Sequence, residues 1–236
     1  MFAVLDIRTP YPAQKKLESL GFEVILLPPF SLLAEQVASH PDMLLFPFGD
    51  KIICHSKYYN EARSEIDKIA KDKELILSDE YVSPVYPHDV LFNAAVLGDR
   101  YLICNKKRVS SKILDAASEY DLSVIHVNQG YSKCSSCIVS DNALITSDKT
   151  IFDSAKKLGA DTLFVENKNI SLPGYDCGFI GGCSGLCEYT NEIFFCGDVG
   201  SHPNGDEIIS FCKNHGKTPV MLTQERLFDI GSIFFI

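Results

Sequence analysis

The side chains of this chain best suited to chemistry are histidines, carboxylates and thiols standing just ahead of short apolar runs. His40 and Asp42 flank Pro41, and His88, Asp89 and Asn93 fall within Pro87–Asn93. Lys133 adjoins Cys134, Cys183 follows Gly181-Gly182, and Asp229 and Ser232 precede a run of Ile and Phe. A cysteine becomes a nucleophile at neutral pH when a neighbouring cation or protonated imidazole lowers its pKa. A histidine nearby can protonate a departing amine and later activate water. Lys133 is placed in sequence to depress the Cys134 thiol, although adjacent residues on a strand point to opposite faces. Charge gathered inside a small space is costly unless it is paired or functional.

The elements that must position these groups recur. Five helices are read from apolar residues at three- and four-residue spacing: 11–20, 58–71, 110–120, 151–158 and 206–214. In the third, Ile113, Leu114, Ala116 and Ala117 make the stripe. Each helix is followed by a short strand, at 22–27, 74–77, 123–127, 162–165 and 218–222. Four helices are preceded by a hairpin turning at Gly49-Asp50, Gly98-Asp99, Ser140-Asp141-Asn142 or Asn191. Gly, Asp and Asn suit tight turns that need positive φ. The last nine residues, 228–236, read as one strand, and the chain opens with another, Phe2–Asp6, that runs straight into the first helix. Joining the ends completes a fifth unit and removes two exposed sheet edges. The units are approximately 36–80, 81–128, 129–170, 171–223, and 224–236 joined with 1–35, forming one domain. The expected fold is therefore α/β: a five-bladed pseudo-symmetric ring of ββαβ repeats, closed by pairing of the N- and C-terminal strands.

Composition sets limits on partners. A net charge of −9 disfavours nucleic acid, which needs a concentrated basic face. The one basic cluster, Lys106-Lys107-Arg108, reads as a solvated surface. No apolar run approaches the roughly 20 residues that cross a bilayer, and no basic segment leads into an apolar leader. Nine cysteines, an odd number in a chain with no secretory leader, imply reduced thiols and a cytoplasmic location.

With five such units, the chain resembles the guanidino-group-modifying, or pentein, superfamily, whose members form a five-bladed ring of ββαβ modules around a central pore. His40-Pro41-Asp42, Pro87–Asn93, Gln129–Cys134 and Gly178–Gly182 are similar to a small bacterial branch of it with no assigned activity. The resemblance implies thiolate attack on a guanidine- or amidine-like carbon, without a cofactor, by a hydrolase or transferase whose substrate is a small cationic molecule. It makes His40 the acid–base group, Asp42 a carboxylate clamp and Cys134 the nucleophile two blades further round. Asp89, Asn93, Lys133 and Asp229 would bind substrate. The family's enzymes carry their cysteine in the last blade, whereas 228–236 contains none. His88 with Cys183, also two blades apart, is the competing pair.

Plainer readings compete. His40 can satisfy a loop carbonyl, Asp42, Asp89 and Asp229 can cap turns, and a strand cysteine is usually a small hydrophobe. Cys54, Cys104 and Cys196 occupy equivalent second-strand positions and read as core. Cys134-Ser135-Ser136-Cys137 has C-x-x-C spacing but no second close pair, so no metal site is expected. Gly178–Gly182 lacks the Gly-Lys-Ser/Thr ending of a phosphate loop, and its glycines read as points of close backbone approach. Two functions follow. An enzyme should present Cys134, His40 and a carboxylate around a pocket. A non-catalytic binding protein of the same fold should show a plugged pore and a partner-binding face.

Overall fold

Apolar runs of four or five residues dictate the local architecture. The computed structural model describes every residue from Met1 to Ile236. In chain order the strands begin with β1 (Phe2–Asp6) and β2 (Glu23–Leu27), followed by β3 (Leu45–Phe48), β4 (Lys51–His55) and β5 (Glu74–Ser78). Next come β6 (Ala95–Leu97), β7 (Tyr101–Cys104) and β8 (Ser123–His126), then β9 (Ser136–Ser140), β10 (Ala143–Thr146) and β11 (Asp161–Phe164). The chain finishes with β12 (Ser184–Cys187), β13 (Glu192–Phe195), β14 (Thr218–Met221) and β15 (Phe234–Phe235).

These make five separate three-stranded sheets: β3-β4-β5, β6-β7-β8, β9-β10-β11, β12-β13-β14 and β15-β1-β2. In each, an inner strand pairs antiparallel with a middle strand, and a helical crossover returns the outer strand parallel to that middle strand. The fifth sheet joins the two ends of the chain, Ala3 opposite Phe235 and Val4 opposite Phe234. No single sheet closes on itself. The middle strands hold each unit together: Ile52-Ile53-Cys54, Leu102-Ile103-Cys104, Leu144-Ile145 and Ile193-Phe194-Phe195 are all fully buried. Continuous apolar runs of this kind suit strands covered on both faces. Cys196, just past β13, is buried as well.

Two of the crossover helices, Ser111–Glu119 and Lys149–Lys157, start where side chains cap them. Ser110 Oγ accepts from the Lys112 amide at 3.2 Å, and the Asp148 carboxylate from the Ile151 amide at 2.9 Å. The expected helix 58–71 is instead two, Ser56–Glu61 and Arg63–Ile69, separated at Ala62 (φ −124°, ψ 32°). A second difference bears on function. The strand expected over 228–236 is shorter, and the residues ahead of β6, β12 and β15 form turns or a bend in place of extended chain. Pro41–Leu44 is likewise a single helical turn ahead of β3. Gly231 and Ser232 take positive φ (67° and 74°), which ends the extended chain before β15.

Candidate active site

Those entry turns carry the polar residues inward. The position two residues ahead of the inner strand, three in the β3 unit, is Asp42, Asn93, Cys134, Gly182 and Ser232 in the five units. Hydrogen bonds link all five in a circuit. Asn93 Nδ2 donates to the Asp42 carbonyl at 3.3 Å and faces Cys134 Sγ at 3.2 Å. The Gly182 amide donates to the Cys134 carbonyl at 2.9 Å, and the Ser232 amide to the Gly182 carbonyl at 2.7 Å. Ser232 Oγ completes the circuit by donating to Asp42 Oδ2 at 2.6 Å. Glycine is required in this company, since a Cβ on Gly182 would overlap the Asp229 carboxylate.

The Cys134 thiol donates to Asp42 Oδ2 at 3.0 Å. Asn93 Oδ1 accepts from the Lys133 and Cys134 amides at 2.7 and 3.2 Å, which fixes the turn that carries the thiol. The His40 imidazole is buried between two carboxylates, with Nε2 3.7 Å from Asp6 Oδ2 and Nδ1 3.9 Å from Asp229 Oδ1. Asp6 is itself held by Arg8, whose Nε and Nη2 reach its two oxygens at 3.0 and 2.5 Å. Asp229 accepts from the Phe179 and Gly231 amides at 2.8 and 2.9 Å. His40 Nε2 and Asp42 Oδ1 are buried without a hydrogen-bond partner. Unsatisfied buried polar atoms are uncommon and call for an explanation.

A cavity of about 250 Å³ opens onto this cluster. Cys134, His40, Asp229, Asp176 and Cys177 line it, with walls that include Tyr131, Tyr175 and Phe179. Tyr131 stacks loosely between Tyr86 and Phe179, ring centres 5.6 and 6.1 Å away. No lysine or arginine lines the cavity.

Burial sets the protonation of the resting site. It pushes the Cys134 thiol well above its ordinary value, and the nearby Asp42 and Asp229 charges push the same way. Burial lowers His40 below the ordinary imidazole value, partly opposed by Asp229 and Asp6. Asp42 is raised by burial against the pull of the Lys133 charge and of the Cys134 and Ser232 hydrogen bonds. Asp229 is also raised by burial, with His40 opposing. At rest the site therefore holds a protonated thiol beside a neutral imidazole. The donor atoms of His40, Asp42 and Cys134 all lie within 4.8 Å of one another. The same three could hold a metal ion through nitrogen, oxygen and sulfur, with a position left open.

The structure brings together Cys134, His40, Asp42, Asn93 and Asp229, and separates the other candidates from them. Lys133 does not sit against the thiol. Its Nζ donates to Ser232 Oγ at 3.0 Å and faces the other end of the inner strands. Hence the thiol is raised rather than depressed. Asp89 lies one layer back, accepting from the Tyr131 hydroxyl at 2.6 Å. His88 is exposed, edge-on to Tyr81, whereas Cys183 is enclosed with its thiol on the Ile180 carbonyl. An exposed imidazole and an enclosed thiol do not make a pair. Cys134 occupies a turn rather than an extended strand.

Sequence reasoning missed Asp6, Arg8, Asp176 and the aromatic walls. Asp6 had a signal: a carboxylate ending the apolar strand Phe2–Leu5, with arginine two residues on. The aromatic residues sit in loops with no periodicity to mark them.

The profile of a family of unknown function, DUF6873, matches residues 4–234. The chain belongs to that family. No curated protein matches it. Solved structures give the fold. The agmatine deiminase of C. jejuni superposes with a TM-score of 0.57 at 12% identity, covering 94% of this chain and 86% of that one. The DDAH of Pseudomonas aeruginosa, solved in complex with citrulline, gives 0.55 at 8% identity over 93% and 91% of the two chains. An amidinotransferase of saxitoxin biosynthesis from Microseira wollei gives 0.54 at 13% identity over 89% and 74%. The α/β fold with its five small sheets is the pentein fold. No helix is long and apolar enough to cross a membrane.

Proposed function

We propose that this DUF6873 protein is a hydrolase or group transferase that acts on a guanidine- or amidine-like group through Cys134. The observation that carries this reading is the thiol–imidazole–carboxylate cluster at a cavity whose charged walls are carboxylates. On the same reading the chain is one domain, its five ββαβ units set in a ring about the hydrogen-bonded circuit.

A guanidinium entering the cavity is attracted by Asp42 and Asp229 and by the faces of Tyr131 and Phe179. Its positive charge beside Cys134 offsets the two carboxylates that raise the thiol, and so favours the thiolate. Cys134 passes its proton to neutral His40 as Sγ bonds to the central carbon. The C–N bond then breaks, and the leaving amine takes the proton from His40. Attack by water, deprotonated by His40, or by an acceptor amine releases the product and restores the thiol. Asp6, held by Arg8, orients the imidazole and steadies its charged form.

Nothing in the cavity pairs with a substrate carboxylate, so a simple alkylguanidine fits better than an amino-acid guanidine. The test is product release from an alkylguanidine and from arginine, with Cys134→Ser alongside. The expected result is turnover of the alkylguanidine in preference to arginine, falling on the order of 10³-fold or more in Cys134→Ser, as removal of a nucleophile does. Lys133, Ser232 and Asp42 fill the axis as a plug would. Binding of the alkylguanidine without turnover would therefore move the protein to the non-catalytic reading.

A further inference from the structure

A second cavity, of about 270 Å³, lies at the other end of the inner strands. Phe48, Ile138, Leu186 and Phe234 contribute to walls that are mostly apolar. Two cations interrupt them, Lys133 and Lys73, and no aspartate or glutamate is among the lining residues. The Lys133 ammonium has a single hydrogen-bond partner, Ser232 Oγ, and sits 5.8 Å from the centre of the Phe234 ring. Lys73 Nζ donates only to the Gly49 carbonyl at 2.7 Å. The nearby Asp50 is engaged by the Tyr120 hydroxyl and by Lys51. Two ammonium groups without an ion-pair partner, in a chain of net charge −9, make this the cation-lined hollow of an acidic protein.

We propose that this second cavity binds a small organic monoanion, a carboxylate on an apolar body, with Lys133 and Lys73 contacting the carboxylate. The aliphatic and aromatic walls accept the body, and the two ammonium groups select the head group. The site is connected to the first cavity. Lys133 Nζ bonds Ser232 Oγ, which bonds Asp42 Oδ2, which accepts from Cys134. The Lys133 charge also stabilises the buried Asp42 carboxylate. An anion that engages Lys133 cancels part of the positive charge facing Asp42 and leaves the first cavity more negative, so occupancy of one cavity by an anion favours occupancy of the other by a cation. The effect is reciprocal by linkage.

The test is isothermal titration of the full chain with hexanoate and with hexanamide, which differ in charge at equal apolar size. Hexanoate is expected to bind at least tenfold more tightly than the amide, and Lys133→Met and Lys73→Met each to lose about tenfold or more, as loss of a charge-assisted contact does. Equal binding of acid and amide, or no hexanoate binding at millimolar concentration, overturns the proposal. Lys73 takes no part in the Lys133–Ser232–Asp42 hydrogen bonds, so Lys73→Met keeps the test decisive if Lys133→Met does not fold. An unchanged hexanoate affinity in Lys73→Met counts against the assigned contacts. A second titration, with guanidinium present, reads the coupling between the two cavities as a tighter hexanoate affinity, and an unchanged or weaker hexanoate affinity removes that part. Neither titration uses turnover, so its outcome is independent of the reaction proposed for Cys134.

Discussion

The two cavities are built from neighbouring stretches of chain yet carry opposite charge. The one at Cys134 has Asp176 and Asp229 in its walls and no lysine or arginine; the other has Lys73 and Lys133 and no carboxylate side chain. Lys133 and Cys134 are consecutive, but the turn at 132–135 sends one side chain to each end. Between them stand Ser232 and Asp42, a side-chain path from one cavity to the other that hydrogen bonds trace. The difference shows how a small repeat fold sorts charge: a single turn ahead of an inner strand sends consecutive side chains to opposite ends.

The sharpest way to break this comparison is Asp229→Asn. The amide removes a negative charge from the first cavity and leaves only one oxygen for the two amides, of Phe179 and Gly231, that the carboxylate now accepts. Affinity for an alkylguanidine is expected to fall on the order of tenfold or more, and stability by about 1–3 kcal/mol for the unsatisfied group. Denaturant unfolding and cation titration read the two effects. Hexanoate binding in the second cavity should be unaffected. If cation and anion affinities fall together, the cavities do not act as separate charge environments.

Alkaline pH gives a smaller and more diffuse effect. Burial pushes the Cys54, Cys104 and Cys196 thiols from 9.0 up to about 12. Because the unfolded thiols ionise first, the unfolded state binds fewer protons than the native one above pH 9, and stability falls with pH. The contribution is whole below pH 9 and is lost as pH rises towards 12. His40 acts in the opposite direction: its lowered pKa gives stability above its ordinary 6.5 that is lost as pH falls. Thermal unfolding from pH 5 to 10.5 should show a maximum between these limits. A midpoint that climbs steadily above pH 9 would contradict the enclosed thiols.

The smallest effect is expected from His88→Ala. The side chain is exposed and outside both cavities, so stability should change by no more than about 0.5 kcal/mol, typical of surface positions. Alkylation and cation binding should match the wild type. A large loss of either would revive the His88–Cys183 pair.

How much was legible in the sequence depends on periodicity. The buried middle strands and four of the five crossover helices follow from apolar spacing, and the turn glycines Gly49 and Gly98 do have positive φ (57° and 60°). The interruption at Ala62 had no such signal, because neither proline nor glycine marks it. In 228–236 the one mark of the bend was Gly231, and Ser232 beside it takes a φ that non-glycine residues rarely adopt. His40, Asp42 and Cys134 were readable as residue types ahead of apolar runs, and the resemblance supplied their roles. Their protonation was not readable. The Lys133–Cys134 dipeptide implied a depressed thiol, and only the three-dimensional path of the turn shows the ammonium leaving and two carboxylates arriving. Asp6 escaped because its partner His40 lies in another unit.

The central claim is that Cys134 is a thiol made reactive by a cation in the cavity. It is tested most directly by mass spectrometric alkylation of all nine cysteines at neutral pH, comparing 2-chloroacetamidine with neutral iodoacetamide. Cys177, partly exposed in the same cavity, serves as the internal reference. The account predicts that the amidine labels Cys134 faster than any other cysteine and that iodoacetamide shows no such preference, because the resting thiol is protonated. Labelling of Cys177 first by both reagents, with Cys134 unmodified, would contradict it.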